Sequence, residues 1–154
     1  MPPALTDPAV FVVEKRCWLF GGLPPFANDN ALTDLWAFDR TSGTATNYSL
    51  VNGDRPSARL GAAFFSGKAN DIYVFGGLTT GNKRSLLNDL WRFNPTLRNW
   101  MQIGNAEANE PWPSPRQSSS VWADEFGRIW LFGGSGLTRD GVIGNLGDLW
   151  LFES

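Results

Sequence analysis

Histidine is absent from all 154 residues, and sulfur is confined to one cysteine, Cys17, and two methionines. Without histidine the chain can build no Ser-His-Asp set, no Cys-His nucleophile pair and no His zinc site. A lone cysteine forms no disulfide within the chain. Basic charge is scarce too: 13 Lys and Arg against 15 Asp and Glu leave a net charge of −2. No basic field is available to neutralise a phosphate backbone, so nucleic acid is not an expected partner. No hydrophobic run approaches the about 20 residues of a membrane helix, so no membrane partner is expected either. The opening MPPALTDPAV lacks the basic stretch and apolar core of a secretory signal. With the single cysteine, that favours a cytoplasmic location.

Two further absences narrow the chemistry. A phosphate-cradling GxxxxGK[ST] loop is missing, because Ala62 stands at its first glycine and Ala69 follows Gly67-Lys68. The acid-rich run NDNALTD (28–34) lacks the glycine of a calcium loop. Asp29, Asp54, Asp124, Glu125 and Asp140 therefore read as turn residues that bond their own backbone. No metal, no cofactor and no catalytic residue is expected.

What the chain does have is aromatic weight, 14% of residues with eight tryptophans, alongside 17 glycines and 10 prolines. That balance favours strands and turns. It is also repetitive. WLFGG (18–22), YVFGG (73–77) and WLFGG (130–134) share one phrase, and their first glycines, Gly21, Gly76 and Gly133, are spaced by 55 and 57. A second phrase travels with it: DLWAFD (34–39), DLWRFN (89–94) and DLWLFE (148–153). Arg59 and Arg116 each precede their glycine by 17 residues, and the first unit has Ala4 at that offset. Such a period marks a repeat architecture.

Each unit reads as four short strands, in the second unit about 60–66, 71–75, 89–94 and 99–103. Leu90 falls on one face of DLWRFN and Trp91 and Phe93 on the other, so the small sheet must be covered on both sides. A four-stranded sheet sandwiched between copies of itself is a propeller blade. The glycine pairs then serve the crowded inner blade end, where Cβ atoms collide and positive φ is needed. Asp34, Asp89 and Asp148 are expected to accept backbone N–H bonds where the third strand begins. Arg59 and Arg116 are expected to make buried hydrogen bonds between blades. Asp, Gly and Arg all recur with the blade, which argues for structural roles.

These residues resemble the kelch repeat, whose units combine an Arg-led first strand, a Gly-Gly second strand and tryptophans in the later strands. Arg59, Gly76, Gly77, Trp91 and Trp100 fit it in the second unit; Arg116, Gly133, Gly134 and Trp150 in the third; Gly21, Gly22 and Trp36 in the first. Unit one lacks the arginine and has Tyr48 where a fourth-strand tryptophan is expected. The histidine often found after the kelch arginine, and the His ligands of kelch-like copper oxidases, are missing. The resemblance implies an all-β domain of kelch-type β-propeller blades, at about 1–52, 53–105 and 106–154, the last ending before its fourth strand.

Three blades do not close a ring, and they leave two flat aromatic flanks. The chain is therefore expected either to self-associate, two copies giving six blades, or to be part of a longer propeller. Function is sought where the repeats differ: the loops 23–33, 78–88 and 135–147 after each second strand, and 52–58 and 104–115 before the first strands. By strand parity these emerge on one face. They carry Phe26, Lys83, Arg84, Trp112 and Arg139 as the candidate ligand-binding set. The implied function is a non-catalytic scaffold for a protein or peptide partner. The alternatives are a carbohydrate-binding or sugar-processing propeller, with Trp112 and Phe26 stacking on sugar rings, and an architectural piece of a larger protein.

Overall fold

The computed structural model describes residues 3–25, 30–49, 53–67, 70–104 and 111–152. Among these there is no α-helix, and the strands gather into small antiparallel sheets. The boundaries expected near 52 and 105 lie outside the described residues.

The first sheet runs β1 (Ala9–Val13), β2 (Arg16–Phe20), β3 (Leu35–Asp39) and β4 (Ala45–Asn47) in sequence order. The second repeats that meander with β5 (Ala63–Ser66), β6 (Ile72–Leu78), β7 (Leu86–Asn94) and β8 (Asn99–Gly104). Polar residues set the outer turns. The Asp39 carboxylate accepts the N–H groups of Thr41 and Ser42 at 2.8 and 3.0 Å. Asn94, its counterpart, accepts those of Thr96 and Leu97 at 3.0 and 2.8 Å. Asx turns of this kind give the backbone its partners at the reversal.

The third unit departs from the meander. β9 (Arg116–Gln117) precedes β10 (Ser120–Ala123) and β11 (Ile129–Phe132). β12 (Ser135–Leu137) and β13 (Ile143–Asn145) follow, before β14 (Leu149–Phe152). β10, β11 and β14 form a three-stranded blade, while β13, β12 and β9 form a separate small sheet. The loop expected over 135–147 is thus a hairpin. Its Thr138-Arg139-Asp140-Gly141 reversal is closed by Thr138 N–H to the Val142 carbonyl at 2.9 Å, with Gly141 at φ +77. Asp-Gly at a two-strand reversal was the available cue.

Blades pack face to face through two cores. Trp18 and Phe20 from blade 1 meet Phe93, Phe64 and Trp100 from blade 2, at ring separations of 5.4 to 6.4 Å. Tyr48, beside β4, closes the outer end of this junction at 5.0 Å from Trp18. In the second core Phe65 and Phe75 of blade 2 meet Phe152 of blade 3, at 6.4 and 5.6 Å. Burying one such side chain stabilises by about 1.5–3 kcal/mol. Among the described residues the sheets do not close into a ring, and the outer faces of blades 1 and 3 stay open.

Candidate functional site

Arg59 is 1% exposed. Its guanidinium donates to both Asp89 carboxylate oxygens at 2.6 and 2.9 Å, and to the Gly76 carbonyl at 3.0 Å. It also donates to the Ser57 carbonyl and hydroxyl. Arg116 repeats every contact with Asp148, Gly133 and Ser114. Trp91 and Trp150 add their indole N–H to the same aspartates, each at 2.6 Å. Asp89 and Asp148 thus take mainly guanidinium and indole protons, where backbone amides were expected; Asp148 also accepts its own backbone N–H. A buried guanidinium demands a paired carboxylate, and this one is within reach. The Ser-x-Arg spacing in 57–59 and 114–116 was the sequence cue for the serine partners.

The guanidinium bonds stay inside one blade. What crosses to the preceding blade is the arginine's backbone carbonyl. A Cβ built on Gly21 would stand 2.7 Å from the Arg59 oxygen, and one on Gly76 2.6 Å from the Arg116 oxygen. Blade 1 has no such latch. Thr6 bridges Leu23 as Leu60 bridges Leu78, which puts Leu5, one residue beyond Ala4, at the arginine's station. Among the described residues no guanidinium reaches Asp34, and the Trp36 indole nitrogen is buried without a hydrogen-bond partner.

Acid should loosen blade 3. Hydrogen bonds from Arg116, helped by Trp150 and opposed by burial, hold the Asp148 carboxyl at about 2. Asp124, in the β10–β11 turn, also sits at about 2: burial alone would raise it, but bonds from Trp130, Arg128 and two backbone N–H groups prevail. An unfolded aspartate titrates near 3.8. A folded pKa below the unfolded one contributes stability above about pH 4, and loses it as pH falls through about 2. Urea midpoints read by tryptophan fluorescence should therefore drop between pH 5 and pH 2, and drop less in Asp148→Asn. A midpoint that rises on acidification over that range would contradict the pairing.

Described parts of the loops after the second strands and before the first strands touch between neighbouring blades. Ala31 N–H donates to Thr80 Oγ1 at 2.7 Å, joining loops of blades 1 and 2. Asn88 Nδ2 reaches the Pro113 carbonyl, joining blades 2 and 3. The β6–β7 turn and the β12–β13 hairpin flank a cleft of about 400 Å³. Leu78, Leu86, Leu137 and Ile143 form its apolar walls, with Arg84 and Gln117 beside them. Leu137 also lines an adjoining cleft of about 570 Å³ that holds Arg139, Thr138, Asp148 and Trp150. All four aliphatic walls lie in the loops 78–88 and 135–147 singled out from the sequence, but reasoning from residue type selects the charged and aromatic residues of those loops as the binding set and passes over the aliphatic ones.

The five candidate residues fall in different places. Lys83 and Arg84 are exposed in the β6–β7 turn, and Arg139 is exposed at the hairpin tip. Trp112 lines the larger cleft but is held from within. Its indole N–H donates to the Asn88 carbonyl at 2.6 Å, and its ring abuts Gly104 and stacks edge-on with Phe75 and Phe152. Phe26 lies outside the described residues. Among those described, no group of three or more Cys, Asp or Glu converges as a metal site would require.

The sequence matches the family profile described as the KLHDC2/KLHL20/DRC7 Kelch-repeats domain over residues 7–154. This chain belongs to the kelch-repeat family. Among curated relatives, beta-scruin of Limulus polyphemus is 26% identical over 97% of the chain. Kelch domain-containing protein 3 of Homo sapiens is 32% identical over 61% of it. The flagellar outer-arm dynein alpha chain of Chlamydomonas reinhardtii is 33% identical over 81%. The kelch chain spans only 16%, 23% and 3% of those relatives' own lengths.

Proposed function

We propose that this kelch domain is a non-catalytic scaffold that binds a protein partner through the loop face. A partner segment that joins carboxylates to aliphatic side chains fits it best. The observation that carries the reading is the aliphatic cleft of Leu78, Leu86, Leu137 and Ile143 with Arg84 beside it and Arg139 in the next cleft. Apolar walls give area, and the two guanidiniums give orientation to carboxylates through charge-assisted bonds. The sugar-stacking alternative is less well supported, since the Trp112 indole N–H and much of its ring are already engaged. The scaffold would work as a completed ring, with the open blade ends covered by association of chains.

Selection from a random peptide display library against the 154-residue chain should enrich sequences mixing Asp or Glu with Leu, Ile, Val or Phe. Arg84→Ala should weaken the enriched peptides about tenfold or more, the scale of a lost hydrogen bond to a charged group. Their affinity should also fall as salt rises. Enrichment of uncharged peptides that ignore both Arg84→Ala and salt would overturn the proposal.

A further inference from the structure

The two ends of the blade stack carry the same faces that the chain uses inside itself. Phe20, Phe75 and Phe132 each precede a glycine pair, and Leu35, Leu90 and Leu149 each follow the repeated aspartate. In blades 1 and 2 the next blade covers them: both phenylalanines are 1% exposed, and the leucines 0% and 5%. In blade 3 Phe132 is 47% exposed and Leu149 54%. Nothing in their residue type has changed, only their cover.

The opposite end tells the same story. Strand registers match Val10–Leu19 of blade 1 to Phe64–Val74 and Val121–Leu131 in the later blades. Trp36 and Phe38 likewise match Trp91 and Phe93, and Trp150 and Phe152. In blades 2 and 3 these positions pack onto the preceding blade. In blade 1 no described blade covers this face, yet the positions remain apolar, and Val10 and Val12 are exposed. A repeat made to face water would be polar there.

A third observation locates the contact. Gly21 and Gly76 each give close passage to an arginine carbonyl of the following blade. Gly133 keeps the glycine and its positive φ, but its nearest neighbour is the Leu146 carbonyl of its own blade at 3.0 Å. The crossing group is a backbone oxygen, so the incoming blade needs no arginine. Leu5 of blade 1, at the arginine's station by register, offers that oxygen.

We propose that blade 3 of one copy seats against blade 1 of a second copy, and that two such junctions close a six-bladed dimer. This rests on the ring-completing part of the reading above and names the two faces that form each junction. A head-to-tail contact closes only if its rotation allows, and two identical junctions about a two-fold axis satisfy that requirement.

Light scattering on a sizing column tests it with the chain as it is. The wild type should run at twice the 17.0 kDa chain mass. Leu149→Glu on one face and Val10→Glu on the other should each weaken association at least about tenfold, because a charge is buried without a partner. Both side chains are exposed in the single copy, so far-UV circular dichroism should not change. An equimolar mixture of the two variants should re-associate, since it restores one intact junction. Arg84→Ala, on the loop face, should leave the mass unaltered, so failure of peptide binding and failure of the ring are distinguishable. A monomeric wild type would overturn the proposal and leave the faces to further blades of a longer polypeptide. Association that survives both glutamates, or growth into open polymers, would overturn it equally.

Discussion

Replacing Arg59 by alanine should lower the unfolding free energy by about 3–5 kcal/mol, the cost of breaking a buried ion pair from one side. The guanidinium side chain is fully covered, and its Asp89 partner is 19% exposed. Removing the arginine strands that carboxylate, the Gly76 carbonyl and the Ser57 oxygens at one blade end. Arg59→Lys should recover only part of the loss, because one ammonium cannot span the fork of Asp89 while also reaching Gly76. Arg116→Ala should cost less, since Asp148 is 40% exposed and water can take over its bonds. Urea unfolding followed by circular dichroism measures all three. A loss near 1 kcal/mol for Arg59→Ala would place the pair with ordinary surface bridges and remove it as the anchor of the blade.

Gly76→Ala is the second large effect, and it acts through the backbone. Its φ of +61 alone costs an alanine about 1–2 kcal/mol. The new methyl would also lie 2.6 Å from the Arg116 carbonyl and 3.0 Å from that of Leu87. Both obstacles are main chain, so blades 2 and 3 must part for the methyl to fit. A total above about 3 kcal/mol is expected, as for other strongly overpacked sites. Gly43 supplies the control: its φ is +69, but an added Cβ meets nothing within 4 Å. Gly43→Ala should therefore show only the conformational cost. Equal losses at the two positions would mean that the blade contact carries no strain.

How much of this was legible in advance follows from the range of each interaction. Blades, strand order and the glycine pairs could be read because they recur, and a repeat displays its own alignment. The kelch resemblance rested on the same recurring residues. The roles of Asp89 and Asp148 could not be read correctly. Nothing local distinguishes an aspartate that caps a strand from one that neutralises a guanidinium 30 or 32 positions earlier. The β12–β13 hairpin hid in a loop because its strands are three residues each, too short for alternation to register. The cleft was invisible for another reason: Leu78, Leu86, Leu137 and Ile143 come from four strand ends in two units, and only folding brings them together.

The sequence by itself determined an all-β chain of three kelch units, without histidine chemistry, and with apolar side chains on both faces of every blade. Those properties live in composition and in spacing along the chain, which folding does not alter. Tertiary structure alone decided which faces are covered and which are left open, and which arginine meets which acid. It also decided that Trp112 braces the junction between blades 2 and 3 while Arg84 and Arg139 stand exposed. Burial and ion pairing depend on distances across the fold, and identical residues such as Leu35 and Leu149 differ only in what lies opposite them.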